Sequence, residues 1–174
     1  MNTTLAAAHS TLWELTHIRD GKIVGEIIKC NKVPFQGINH ILETVYNAGT
    51  PITSWYVGLF SNNHTAVDGD TGASIDGATI IEVTAYTYNA NASNRGLIPF
   101  DTASGQATTN TTTVDLVFTG NVTVRGGFIC SAVAKGTTGS GNGTLISCVN
   151  LGADRVVLTS DIIKITVTAS ATSA

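Results

Sequence analysis

Residues 33–60, VPFQGINHILETVYNAGTPITSWYVGLF, decide how this chain folds. The first half spaces Ile38, Ile41, Leu42, Val45 and Tyr46 at i, i+3, i+4, i+7 and i+8. That is the interval of one apolar helix face, and it predicts a buried stripe on a helix over residues 37–48. Gly49 stands where the chain should leave the helix, and Pro51 prevents it resuming. The second half, residues 55–60, is apolar in both directions, with Trp55, Val57 and Leu59 on one face and Tyr56 and Phe60 on the other. Such a strand must be covered twice, by a second sheet and by a helix or a neighbouring subunit. One helix and one central strand are therefore the expected nucleus.

Composition sets the class around that nucleus. The chain has 174 residues, of which only 12% are charged and 43% are hydrophobic, with frequent Thr and 18 Gly. This is the profile of a mainly β protein with neutral, hydroxyl-rich outer faces. A net charge of −3 offers no basic stripe for nucleic acid. No apolar run is long enough to span a membrane, and the N-terminal residues do not read as a secretion signal. The Asn-x-Ser/Thr triplets, as at Asn63, Asn91, Asn110, Asn121 and Asn142, are expected by chance in so Thr-rich a chain and read as unmodified.

Outward from the nucleus, residues 11–32 read as a hairpin turning at Asp20-Gly21, a favoured two-residue β-turn pair. The hairpin either closes the sandwich at one edge or reaches out as an arm to another subunit. In the second case Trp13, Leu15, Ile18 and Ile23 supply apolar partner-binding anchors. Residues 61–78 form the longest loop. Strands are expected over residues 80–88, 114–118, 122–134, 144–151, 155–158 and 162–168, with Ile163, Ile165 and Val167 facing inward in the last. Pro99 makes the brief apolar piece 97–100 an edge or a strand end. About eight strands after a single helix indicate a jelly-roll-like antiparallel β-sandwich with one amphipathic helix and an N-terminal hairpin arm. The organisation expected is a tail and arm over 1–32, a body over 33–169 and a disordered tail over 170–174. Pairing residues 129–133 with 145–149 about Gly139 sets Ile129 against Val149, Ser131 against Ser147 and Cys130 against Cys148.

Three features invite a chemical reading. KGTTGSGNGT, residues 135–144, has the glycines of a phosphate loop. However, Asn142 rather than lysine follows Gly141, and a strand rather than a helix follows the loop, so it reads as a flexible hairpin tip. DGDTGASIDG, residues 68–77, offers Asp68, Asp70 and Asp76 as oxygen donors. It lacks the glycine and closing glutamate of an EF-hand, which leaves a solvated acidic loop, or a calcium loop of another kind. Cys30, Cys130 and Cys148 show no C-x-x-C spacing and no histidine cluster nearby in sequence, so they read as thiols rather than zinc ligands or a disulfide framework. His9, His17, His40 and His64 are scattered, and no G-x-S-x-G occurs. No catalytic, cofactor or metal residues are assigned, and the chain is expected not to be an enzyme.

The order of motifs carries a resemblance. It runs from W-E-L-T and R-D-G-K-I-V through G-I-N-H-I-L-E-T-V and S-W-Y-V-G-L-F. Then follow I-E-V-T-A-Y, V-R-G-G-F-I-C-S-A, G-T-L-I-S and D-I-I-K-I-T-V-T. From about Leu12 to Ala169 the chain resembles a group of tailed-bacteriophage virion structural proteins, the helix followed by W-Y-V-G-L being its most specific piece. The resemblance implies a capsid decoration (cement) protein that binds the phage major capsid protein as a homo-oligomer and stabilises the head. It would be made in the bacterial cytoplasm and carried on the virion surface. A head-fibre or tail-associated receptor-binding module is the alternative. Neither reading implies a cofactor, a nucleic-acid partner or a membrane partner.

Overall fold

Strand-forming, β-branched segments punctuated by turns assemble into two antiparallel sheets facing each other across an apolar core. The structure is a computed structural model that describes residues 8–77 and 79–172. In chain order the strands are β1 (Ala8–Arg19), β2 (Lys22–Cys30), β3 (Trp55–Phe60), β4 (Tyr86–Thr87) and β5 (Gly96–Ile98). They continue as β6 (Ala107–Thr109), β7 (Val114–Phe118), β8 (Val122–Cys130), β9 (Leu145–Val157) and β10 (Ile162–Thr172). The helix α1 is Phe35–Tyr46. One sheet runs β2-β1-β10-β7-β4, with β6 also beside β10; the other runs β5-β3-β8-β9. The mainly β, sandwich-like class expected from composition is what forms.

The expected hairpin forms, with Asp20 and Gly21 at φ 50° and 72° in the turn, the geometry that matches strand twist in a two-residue loop. It is not a separable arm. Strand β1 pairs with β10 from Ala8 to Ile18, so the first and last strands lie side by side at the heart of one sheet. Trp13 is 0% exposed, and its indole Nε1 donates to the buried Ser147 Oγ at 3.0 Å. Ser147 also accepts from Asn31 Nδ2 at 2.6 Å and shares a hydrogen bond with Thr11 Oγ1 at 3.0 Å. The boundary expected at residue 32 therefore cuts through the core. Residues 170–172 likewise belong to β10 rather than to a tail; residues 1–7 and 173–174 lie outside the described residues.

Strand β3 is central, between β5 and β8. Val57 and Leu59 enter the main core between the sheets, while Phe60 points the other way, into a second cluster with Ile75, Ile80, Phe128, Leu145 and Cys148. The cover on that second face comes from the loop after β3. The V-R-G-G-F-I motif has a packing reason. A Cβ on Gly126 would lie 1.8 Å from the Phe60 ring, and one on Gly127 would lie 2.6 Å from the Trp13 ring. Adjacent strand residues point to opposite faces, so the glycine pair seats one aromatic ring on each side of β8.

The helix differs from expectation in what it buries. It leans on β9 through its first turn, where a Cβ on Gly37 would come within 2.9 Å of Ile146 Cα. Gln36 Oε1 accepts the backbone N–H groups of Gly72 and Leu145, each at 2.8 Å, and the His40 ring meets Trp55 edge-on at 5.8 Å. The apolar stripe is not buried: Ile38 and Ile41 are half-covered, and Leu42, Val45 and Tyr46 are exposed, Tyr46 by 82%. At the C-terminus the left-handed residue is Ala48 (φ 52°) instead of Gly49; Gly49 N–H bonds to Glu43 O at 2.9 Å.

Residues 80–88 are mostly irregular, and only Tyr86 and Thr87 pair as a strand. The cause is an ion pair. Glu82, placed by alternation on the same face as Thr84 and Tyr86, is buried, and Ile81 is exposed instead. The fully buried Arg95 donates Nε to Glu82 Oε1 at 2.7 Å and Nη2 to Oε2 at 2.8 Å. Its remaining donors reach Asn142 Oδ1 at 2.6 Å and Ala132 O at 2.9 Å, and the guanidinium lies 5.2 Å from the Phe128 ring centre. The glycine-rich segment is therefore no free tip. Asn142, 0% exposed, donates to Ile75 O at 3.1 Å, and Gly136 N–H donates to Glu82 Oε2 at 2.9 Å.

This anchoring also resets the β8–β9 register. Gly127 faces Val149, Phe128 faces Cys148 and Cys130 faces Leu145, with an irregularity between Ile129 and Cys130. The offset from the expected pairing is two residues from Gly126 to Ile129 and three at Cys130; the two-residue shift keeps each side chain on its face but changes its partner. Cys130 and Cys148 lie on neighbouring strands as buried free thiols, not opposite one another.

Two predictions concern stability. Glu82→Gln leaves the Arg95 charge buried without its counter-ion and is expected to cost about 3–5 kcal/mol by urea unfolding, whereas the exposed Leu42→Ala should change stability by less than about 0.5 kcal/mol. A larger loss at Leu42 than at Glu82 would reverse this account of what holds the helix and the loops.

A third concerns pH. Asp161 is buried, and hydrogen bonds from Arg19 hold its carboxyl well below the usual carboxylate range. Burial opposes them, while the Leu158 N–H and His17 add to them. Because the folded value lies below the unfolded value of about 4, the stabilisation is complete above that pH and is lost as pH falls beneath it. Urea midpoints should decline below about pH 4, and Asp161→Asn should flatten that decline; an unchanged slope would exclude this group.

Candidate interaction surface

Of the four hairpin residues expected to anchor a partner, the sheet divides two from two. Trp13 and Leu15 alternate inward with His17 and are spent on the core. Ile18 and Ile23 are paired directly across the hairpin and share the outer face, where Ile18 also faces Ile162 of β10. Inward residues of β1 oppose inward residues of β10 (Trp13 with Val167, Leu15 with Ile165), so the even-numbered set is left outside by the period of two.

Strand β2 carries the most exposed apolar side chains of this face. Ile23 is 61% exposed and Ile28 is 63% exposed, with Val24 between them. Val24 is the extra residue of a bulge, since Ile23 pairs with Ile18 and Gly25 with His17. Among the described residues β2 pairs with β1 alone, so its other edge presents unpaired N–H and C=O groups. A nine-residue open edge is a template for strand addition. Lys22, Glu26 and Lys29 on the same strand give that edge charge and hence selectivity against indiscriminate pairing. The end of β2 is tied down by a bridge between Lys32 and Cys148, with both backbone hydrogen bonds at 3.2 Å, so the edge is held rigid rather than swinging.

The sandwich also has a groove of about 610 Å³ between α1, β5 and the paired ends of β1 and β10, lined by Ile41, Trp55, Leu97, Phe100, Ile146 and Ala169. Its walls are chiefly apolar, and its polar lining residues include His9, Ser10 and Asp101.

The acidic loop does not gather its carboxylates. Asp68 pairs with Lys32 at 3.1 Å, Asp70 turns inward to His64, and Asp76 makes its ordered contact through its backbone N–H to Ile80 O. Among the described residues these three aspartates do not converge. Sequence spacing also failed to mark the buried ion pair Arg95–Glu82 and the half-buried pair Arg19–Asp161. Their partners lie 13 and 142 positions apart, too far for any local spacing to mark them.

Exposed apolar residues on an edge strand should betray themselves as self-association. Ile23→Lys together with Ile28→Lys is expected to leave the urea midpoint nearly unchanged, since neither side chain packs in the core, while reducing association measured by analytical ultracentrifugation. Unchanged association, or a large loss of stability, would show that the edge is not an interaction surface. No helix among the described residues is long and apolar enough to cross a membrane. In comparisons with known proteins, the chain matches no family model and no curated sequence.

Proposed function

We propose that this protein is a non-enzymatic structural component of a tailed-phage particle, seated on the outside of the capsid and gripping the major capsid protein. The observation that carries the reading is the open, rigid edge of β2 with Ile23 and Ile28 exposed upon it. Main-chain pairing along an edge needs no catalytic chemistry, and the exposed isoleucines supply the apolar area that makes such pairing specific and lasting. The motif resemblance supplies the particle; the edge supplies the means of attachment.

The rest of the molecule suits that task. Low charge provides little long-range steering, so affinity rests on buried area and on many copies binding at once. A sandwich whose first and last strands are paired neighbours resists fraying from either terminus. Half-buried hydroxyl-bearing residues such as Thr166 and Thr168 dress the outer face of β10 with neutral groups.

The test is decoration of purified capsids lacking this protein. Wild-type chain should bind and raise the temperature at which heads release DNA. The Ile23→Lys, Ile28→Lys double variant, checked for unchanged folding by circular dichroism, should lose at least tenfold in occupancy. Particle imaging that places the chain on a tail tip or head fibre would replace this reading with a receptor-binding one. Double-variant protein that decorates as well as wild type would remove the edge from the account.

A further inference from the structure

We propose that His64, Asp70 and Cys148 form a binding site for one divalent transition-metal ion of the zinc class, taken up with three protein ligands and one water. The three residues are 84 positions apart at the extremes, which is why no motif announces them. The fold brings a donor atom of each within 4.8 Å of the others. His64 Nε2 and Asp70 Oδ2 are already 2.8 Å apart. Metal bonds of about 2.0–2.3 Å place neighbouring ligand atoms a little over 3 Å apart, so only a small adjustment of the sulfur and the carboxylate is required.

The donor set has the chemistry for such an ion. Imidazole, thiolate and carboxylate together suit zinc or cobalt rather than calcium or magnesium, which take oxygen. On uptake the Cys148 thiol releases its proton to solvent as Sγ bonds to the metal; the proton shared by His64 Nε2 and Asp70 Oδ2 leaves that pair, the imidazole keeping its proton on Nδ1, so that both atoms donate lone pairs, and no electrons change hands. Two anionic ligands then balance a dication. That matters because Asp70 and Cys148 are buried, and an unbalanced charge there would be costly.

The supports are rigid. Cys148 sits in β9, held on both backbone groups by Lys32. Asp70 Oδ2 also accepts the Val67 N–H at 2.9 Å, and the His64 ring packs edge-on against Phe60 while its carbonyl accepts Asn150 Nδ2 at 2.8 Å. Only His64 is open toward solvent, with a side chain 10% exposed, which leaves one side for water. The rival use of the same trio, a Cys–His–Asp nucleophile, fails on access: Cys148 is fully buried, and an attacking thiol must be reachable by its substrate.

The experiment is titration of the reduced, metal-stripped full chain with Co²⁺, read by the thiolate-to-cobalt charge-transfer band and the tetrahedral d–d bands. One equivalent should saturate both, and Zn²⁺ should displace the cobalt and raise the melting temperature. Loss of partners that merely orient metal ligands costs about 10–100-fold; His64→Ala, which removes a ligand outright, should lose at least about 100-fold in Co²⁺ affinity. Cys148→Ala should abolish the charge-transfer band, and Cys30→Ser, at an exposed position, should keep it. Should Cys148→Ala fail to fold, the His64→Ala and Cys30→Ser titrations still decide the matter. No band with wild-type protein, a band lost in Cys30→Ser, or equal affinity in His64→Ala would each overturn the site.

Discussion

The Arg95–Glu82 pair is the constraint on which the irregular half of this molecule depends. Both side chains are withdrawn from water, and a buried charge is tolerated only when its partner and its other hydrogen bonds are in place. Arg95 meets that condition by collecting groups from three separate stretches: Glu82, Cys130 and Ala132, and Asn142. Each of those stretches is thereby fixed. The segment before β4 cannot run as a regular strand, β8 must stop near Cys130, and the glycine-rich loop must fold back so that Asn142 reaches both Arg95 and Ile75 O. Lys135 completes the arrangement from the same loop, with its ammonium 3.6 Å from the Tyr86 ring centre.

The regular half depends on a different economy of space. Trp13 and Phe60 are large, and both must approach a central strand from opposite sides. The chain meets this with Gly126 and Gly127, which remove the two Cβ atoms that would collide. The same logic explains why the N-terminal hairpin is structural. Once Trp13 occupies the face of β8 and bonds Ser147, β1 cannot leave without exposing the core. What remains for a partner is the strand beyond it. Elsewhere, Asn110 shows how a gap in a sheet is filled: between β6 and β7 its side chain accepts Val167 N–H at 2.6 Å and donates to Ile165 O at 3.3 Å, replacing the missing ladder bonds.

A division of labour follows. The polar interior fixes loops, the glycine-seated aromatics fix the sheets, and apolar residues in excess of both needs appear on β2 and along α1. Monomeric proteins seldom leave such side chains outside in groups without a use for them. The proposed attachment to a capsid employs the first of these surfaces, and the proposed metal would brace the loop after β3 against β9 at Cys148, whose backbone also pins the end of β2 through Lys32.

What the sequence by itself determined follows from local periodicity. Alternation set the inward faces of β7 and β10, Asp20-Gly21 set the hairpin turn, Pro99 marked the edge strand β5, and the W-Y-V-G-L-F run announced a strand covered on both sides. These are readable because a period of two or a turn preference acts over a few neighbouring residues. Only the tertiary structure decided the rest: that Trp13 and Leu15 serve the core while Ile18 and Ile23 face out, that the stripe of α1 stays exposed, that β8 and β9 pair two residues away from the expected register, and that His64 and Asp70 meet Cys148. Helical spacing says which residues share a face, not what that face meets, and a two-residue slip preserves every face. Charges separated by tens of positions leave no local pattern. Their pairing is fixed by the cost of burying either one alone, and that cost exists only once the sheets have closed.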